Sequence, residues 1–256
     1  MTNANCLNCN SKLHGRYCSQ CGQPSDTKKI NLHYLWHDIQ HGLLHLDKGV
    51  LFTTRELFTR PGNTIREFLN GKRVNHFKPI SLVLVLAGLY SLLSHYFELN
   101  LLSNFYEING SGGAIDKSKL AVDNISQWVS NHYSILALFQ IPLFSLGTYL
   151  LFRMVKYNFI EHLVINTFIS GQKLLLHLAT FPIYYWFNKT AFSRPIDQTI
   201  DMIGFVLAFW TIFQLFKEIS PLQRFFRTLL SLVIPFILIL ILTVLIFFTF
   251  IKMILS

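Results

Sequence analysis

The chain has 256 residues, of which 52% are hydrophobic, 15% aromatic and only 14% charged. Soluble domains carry about 25% charged residues, so this composition excludes an ordinary soluble globular protein. The formal net charge of +9 would suit a nucleic-acid partner, yet most basic residues flank apolar segments, as in membrane proteins. We therefore predict an all-α polytopic membrane protein that binds no nucleic acid.

All the cysteines of the chain lie near its start, in two CxxC pairs separated by eight residues: Cys6, Cys9, Cys18 and Cys21. Each pair places two thiolates on one tight turn, and two turns supply four sulfur ligands at about 2.3 Å from zinc. Asn10 and Gly22 follow the pairs, where a positive φ is helpful. We predict one structural zinc per chain in a knuckle over residues 1–24. Two disulfides or a redox CxxC are the alternatives.

The next segment carries a ladder of histidines on a predicted amphipathic helix over residues 30–46. They recur every four residues: His33, His37, His41 and His45. Because the stripe drifts about 40° per step, all four cannot bind one ion, although neighbouring pairs can. The alternatives are a second metal site, a pH sensor, or the polar face of an interfacial helix.

Two short helices are predicted next, one from Thr53 to a stop at Pro61 and one over residues 64–70 ending at Gly71. They complete an amphipathic, basic juxtamembrane region over residues 25–78. Its membrane-proximal basic residues are Arg60, Arg66, Lys72, Arg73 and Lys78. At an anionic leaflet each is worth about 1 kcal/mol. They are either a topology anchor or a site for phosphate or lipid headgroups.

These residues resemble a known family. The resemblance rests on three stretches. The first two are the knuckle ending in Cys-Gly-Gln and the His-Leu-Asp-Lys-Gly stretch at 45–49. The third, which we call the collar, runs from Arg-Pro-Gly at 60–62 through Gly-Lys-Arg at 71–73 to Pro79. The family is the domain-of-unknown-function family numbered 3667, bacterial membrane proteins common in Bacteroidetes. The resemblance covers about residues 1–90 and implies a zinc-bound head and a multi-span body, with no catalytic activity implied.

Apolar segments of near-bilayer length follow, and we predict five transmembrane helices in the domain at 79–256, at residues 79–98, 133–152, 162–186, 199–216 and 228–251. With the head in the cytoplasm, inner segments hold sixteen Lys and Arg against five in outer segments. The positive-inside rule then places the N-terminus inside and the C-terminus outside a bacterial inner membrane.

Six ionisable residues of the His, Lys, Asp and Glu types fall within the predicted spans, and three of them, His95, Glu98 and His162, lie at span ends where they are expected to reach the interface. Lys173 and His177 lie one turn apart on the third span, and Asp201 on the fourth reaches a similar depth. Such residues are costly in a bilayer and usually face protein or water. We predict a Lys173–Asp201 pair with His177 beside it, acting as a structural clasp or as a proton or ion relay.

Three functions fit this organisation. The first is a non-enzymatic scaffold or assembly factor whose knuckle docks a protein partner. The second is a transporter of a small solute, ion or metal through the intramembrane polar residues, for which a homodimer would supply the symmetry that many transporters show. The third is a lipid-handling enzyme that holds headgroups at the collar. The sequence contains none of the common hydrolase, P-loop, Rossmann or zinc-protease motifs, so we assign no catalytic residue and favour the scaffold.

Overall fold

The computed structural model describes residues 5–27, 29–32, 49–97, 128, 132–155, 157–188, 190 and 192–255. These residues form seven helices: α1 (Gly49–Thr59), α2 (Pro61–Leu69), α3 (Pro79–Tyr96), α4 (Tyr133–Phe152), α5 (Phe159–Trp186), α6 (Ser193–Leu215) and α7 (Pro221–Leu255). Two isolated antiparallel bridges occur in the N-terminal head. The histidine ladder and most of residues 99–132, between the first two predicted spans, lie outside the described residues.

Four of the helices are long and apolar enough to cross a membrane, over Pro79–Tyr96, Ile135–Phe152, Ser193–Leu215 and Pro221–Ile241. The protein is therefore a multi-pass, all-helical membrane protein, as predicted. The predicted third span corresponds to α5, which has 28 residues but lies outside this set of four. At 1.5 Å per residue it is about 42 Å long, more than the hydrocarbon core requires.

The polar character of α5 is explained by its place in the bundle. It packs against α3, α4 and α6, and also contacts the two short helices α1 and α2. Its buried positions include Glu161, His162, Asn166 and Gln172. Because neighbouring helices surround it, these side chains meet protein groups instead of lipid, which a polar residue at membrane depth requires.

The α1–α2 hairpin differs at its start from the prediction. Helix α1 begins at Gly49, so the predicted start at Thr53 is wrong. The Thr53 hydroxyl instead accepts a hydrogen bond from the Phe77 backbone N–H at 2.7 Å, a tertiary contact that local sequence does not reveal. Pro61 opens α2 three residues before the predicted start, because proline is favoured in the first helical turn. The predicted end at Gly71 is confirmed by its φ of 100° and by hydrogen bonds from Gly71 N to Phe68 O and from Lys72 N to Glu67 O.

Buried polar contacts attach this hairpin to the membrane helices. The Gly62 N–H at the start of α2 donates to Oε1 of Gln214 on α6 at 2.7 Å. Gln172 on α5 donates through Nε2 to the Leu57 carbonyl at 2.6 Å and accepts from Thr211 Oγ1 at 3.0 Å. The hairpin is therefore held by α5 and α6 together.

Three membrane helices, α5, α6 and α7, begin several residues before the apolar spans predicted for them. Helix α5 begins at Phe159 behind a capping box, in which Glu161 N donates to Asn158 Oδ1 at 2.9 Å and Asn158 N donates to Glu161 Oε2 at 2.8 Å. Helix α6 begins at Ser193 and α7 at Pro221, against predicted span starts at 199 and 228. Hydropathy marks the part of a helix that suits lipid, whereas backbone hydrogen bonding continues through the polar interfacial turns.

Candidate functional site

The four cysteines lie together in an arrangement that can hold a metal ion. Their Sγ atoms all lie within 4.8 Å of one another, and Cys6–Cys21 and Cys9–Cys18 are separated by 3.5 Å. A tetrahedral ion with sulfur ligands at about 2.3 Å requires Sγ separations of about 3.8 Å. All four are free thiols. The arrangement can therefore hold one metal ion.

The two CxxC turns have the same backbone geometry. Asn10 N donates to Cys6 O and Gly22 N donates to Cys18 O, each at 2.9 Å. Asn10 has a φ of 61° and Gly22 a φ of 74°. The positive φ predicted at both positions is confirmed. The positive φ lets the chain reverse direction directly after the second cysteine of each CxxC pair. The thiols of both turns therefore face one common point.

A serine lowers the pKa of two of the thiols. The Ser11 Oγ lies 3.0 Å from Sγ of both Cys9 and Cys18. This hydrogen bond lowers the pKa of the Cys9 thiol and lowers that of Cys18 to about 6, while burial raises the pKa of Cys21 to about 11. Since the thiolate is the form that binds a metal, Ser11 prepares one side of the site for a cation.

The head is attached to the membrane body at the end of α2. Leu7, between the first two cysteines, lies over Gly71, where an added Cβ would come within 2.7 Å of Leu7 Cδ1. The Gln23 side chain accepts a hydrogen bond from the Arg73 N–H at 3.1 Å. Beside these contacts, a cleft of about 310 Å³ lies between the N-terminal segment and the membrane helices. Lys29 borders it from the N-terminal segment and Tyr157 borders it next to α5.

Two of the five basic residues of the collar, Arg60 and Lys72, pair with acidic residues of the α1–α2 hairpin. Arg60 pairs with Glu56 and, at 3.2 Å, with Glu67. Lys72 also pairs with Glu67, at 3.7 Å. Arg60, which lies between the two helices, thus links Glu56 on α1 to Glu67 on α2.

The other three collar cations have separate surroundings. The Arg66 guanidinium donates to the Leu215 carbonyl and lies 3.9 Å from Glu218, which connects α2 to the end of α6. The Arg73 guanidinium lies over the Phe68 ring at 5.4 Å. Lys78 immediately precedes α3. A headgroup role for these residues stays a prediction.

His76 gives the hairpin a predicted pH dependence. It is buried between the rings of Phe52 and Phe68, and burial lowers its pKa. The unfolded chain, with a histidine pKa near 6.5, then binds more protons than the folded chain as the pH falls. We expect the stability that neutral His76 contributes to be complete above about pH 6.5 and to decrease below it.

The measurement is the thermal midpoint in detergent at about pH 7.5 and pH 5.5, on either side of the histidine pKa. His76→Leu should show a smaller decrease between the two pH values than the wild type. The matched control is His95→Leu, since His95 is exposed on the last turn of α3. Equal pH dependence of wild type and His76→Leu would contradict this assignment.

The three predicted intramembrane residues come together between α5 and α6. His177 Nε2 lies 3.6 Å from Asp201 Oδ1, and the Tyr90 ring of α3 lies 5.8 Å from the His177 ring. Lys173 is close enough to Asp201 to interact electrostatically, and its Cε faces Gly204. Its side chain borders a cavity of about 70 Å³ among α4, α5, α6 and α7.

Several residues of these sites were missed by the sequence interpretation. Ser11 gave no signal apart from its place between the CxxC pairs. Gln214 lies inside an apolar span, where an amide calls for a partner. Asn166 and Asp197 belong to the same category, since each is a polar residue in a helix of mainly apolar composition. His162 is predicted at the membrane interface, and the structure instead buries it completely.

Fold and site together define the class: a multi-pass helical membrane protein whose N-terminal head carries a cluster of four cysteines that can hold a metal ion. Residues 47–91 match the family described as protein of unknown function (DUF3667). The matched segment comprises α1, α2 and most of α3, so the similarity is to the hairpin and the first span. No curated protein and no solved structure matches the chain.

Proposed function

We propose that this protein is a non-enzymatic scaffold or assembly factor of a bacterial inner membrane, with its head in the cytoplasm and its C-terminus outside. The observation that carries the proposal is the assembled four-thiol site in a head attached to the α1–α2 hairpin. We infer that the metal is zinc, one per chain, because four thiolates in a closed tetrahedral set are typical of structural zinc. Such a site leaves no position for a substrate, and its contribution is to hold the shape of the head.

The head offers a protein partner an exposed surface supported by that metal. Tyr17 is 66% exposed although it directly precedes the buried Cys18. Aromatic residues are enriched in the centres of protein interfaces. The backbone bridge between Tyr17 and Pro24 belongs to the second CxxC turn, so the position of the Tyr17 ring depends on the metal site.

The test is photo-crosslinking in native membranes from a photoreactive amino acid placed at position 17. The matched control position is Met154, which is 83% exposed just after α4 on the same side of the bundle. We expect a discrete adduct from position 17, none from position 154, and loss of the adduct when Cys18→Ser is added. An adduct of twice the chain mass would identify the partner as a second copy. No adduct at position 17, or one that survives Cys18→Ser, would overturn docking through the head.

A further inference from the structure

Polar side chains follow one face of the central helix α5 along most of its length. They recur at intervals of three or four residues: His162, Asn166, Ser170, Lys173, His177, Thr180 and Tyr184. Positions with this spacing share a helix face. Ionisable residues at membrane depth are costly and generally mark pathways for ions or protons.

The first part of this stripe lies against α4. His162 is fully buried, and its Nδ1 lies 3.1 Å from Thr148 Oγ1. Asn166 donates to the same hydroxyl at 2.8 Å. The other ring nitrogen of His162, Nε2, is buried without a hydrogen-bond partner in the described part of the chain. His162 therefore retains a buried nitrogen that can take up or release a proton.

The middle of the stripe borders an internal cavity of about 70 Å³. Asn166, Ser170 and Lys173 line it from α5, and Gln140 lines it from α4. One water needs about 10–15 Å³ on this measure, so the cavity has room for more than one water. Its polar lining supplies the hydrogen-bond partners that such waters require. Water in the cavity would connect Asn166 to the Lys173 amine.

The last part of the stripe carries the titratable cluster. His177 pairs with Asp201, and Asp197 lies one turn before Asp201 on α6. Asp197 interacts electrostatically with Asp201 and with Tyr184, whose buried hydroxyl has no hydrogen-bond partner among the described residues.

Two other elements face this cluster. Helix α3 contributes Tyr90, beside the His177 ring. The cavity side of α7 is apolar at Leu232 and Phe236. The titratable groups are therefore concentrated between α5 and α6.

We propose that this stripe conducts protons across the membrane. A proton bound to the Asp201 carboxylate passes to His177 Nε2, and the His177 Nδ1 proton leaves toward the Lys173 amine and the cavity water. His162 then completes the path at the other end. Rotation of the His177 ring restores its starting tautomer, and Asp201 takes up the next proton. One proton has then entered and one has left, and the proton gradient supplies the driving force. As a neutral amine, Lys173 can accept the proton from His177, and the ammonium that forms would repel a metal cation from the cavity. This inference is independent of the scaffold role.

The test uses the purified full chain in liposomes that contain a pH-sensitive dye. A potassium diffusion potential set with valinomycin drives protons inward. We expect proton uptake above that of empty liposomes, and we expect Asp201→Asn and His177→Gln each to reduce it by about tenfold or more, as loss of a proton-transfer group does. The matched control is His95→Gln, the same chemical change at an exposed position of α3 outside the stripe, which should leave uptake unchanged.

Three results would overturn the proposal: uptake equal to that of empty liposomes, uptake that persists in Asp201→Asn and His177→Gln, or uptake that depends on sodium. Each variant is first checked for unchanged gel-filtration elution. If Asp201→Asn does not fold, Asp197→Asn tests the same path from one turn away, and unchanged uptake in that variant would count against the proposal.

Discussion

Cys18→Ser is expected to abolish metal binding and to unfold the head while leaving the membrane helices intact. Cys18 is buried, and its Sγ lies 3.5 Å from Cys9 Sγ and 3.0 Å from Ser11 Oγ. Serine cannot replace the thiolate as a zinc ligand, so a four-coordinate site loses one of its bonds. Structural zinc sites contribute on the order of 10 kcal/mol to folding, and a head of this size has no comparable apolar core to offset the loss.

Two measurements check this expectation. Zinc content should fall from about one per chain to background in Cys18→Ser. Limited proteolysis should then cleave within the head, because the contacts of Leu7 with Gly71 and of Gln23 with Arg73 require its folded shape. His14→Ala, at an exposed position between the CxxC pairs, should leave both unchanged. Full zinc content in Cys18→Ser would contradict the four-cysteine assignment.

The same zinc measurement addresses the histidine ladder, which lies outside the described residues. Changing His33, His37, His41 and His45 to alanine should leave the zinc content at one per chain if the head holds the protein's zinc site. A fall from two to one would show a second site in the ladder and would favour metal sensing or transport.

Gly62→Ala is expected to have the largest effect outside the head. An alanine Cβ at this position would lie 2.5 Å from Leu215 N and 2.7 Å from both the Gln214 carbonyl carbon and Thr211 O. These are backbone atoms of α6, which cannot rotate away as the end of a side chain could. The hairpin must therefore move off α6, which disturbs the Gly62–Gln214 and Arg66–Leu215 hydrogen bonds. We expect a loss of about 3 kcal/mol, the upper end for an overpacked site.

Gly88→Ala is the matched control, because Gly88 is exposed within α3 and a Cβ there would meet nothing within 4 Å. Alanine is the better helix former by up to about 1 kcal/mol, so this variant should be as stable as the wild type or more stable. The measurement is the thermal midpoint of the detergent-purified proteins at one pH. A Gly62→Ala protein as stable as Gly88→Ala would show that the hairpin does not approach α6 closely.

The clustering of the four cysteines could be predicted almost completely from the sequence. The cysteines lie in two short repeats, and each turn is built by local hydrogen bonds and a positive φ at the residue after its second cysteine. The attachment of the head at Gly71 and Arg73 could not be predicted, because the contacting residues are about 50 positions or more apart in the chain and neither partner is unusual for its own segment.

The membrane helices show the same division. Hydropathy predicted the number and approximate positions of the long helices, since lipid exposure imposes an apolar composition on each span separately. It did not identify the neighbours of α5, whose buried polar residues lie among α3, α4 and α6. It also gave no indication that α1 and α2 form a hairpin held by Gln172 and Gln214.

The sequence by itself determined the all-helical membrane class, the clustering of the four cysteines and the C-terminal cap of α2, because each depends on composition or on residues a few positions apart. Only the tertiary structure decided that Asp201 pairs with His177, that Lys173 borders a cavity, and that Arg66 is used within the protein. These outcomes depend on which helix faces which. Helix packing is set by close approaches such as that of Gly62, on α2, to the backbone of α6. The distance between the two backbones decides which side chains become neighbours along the contact.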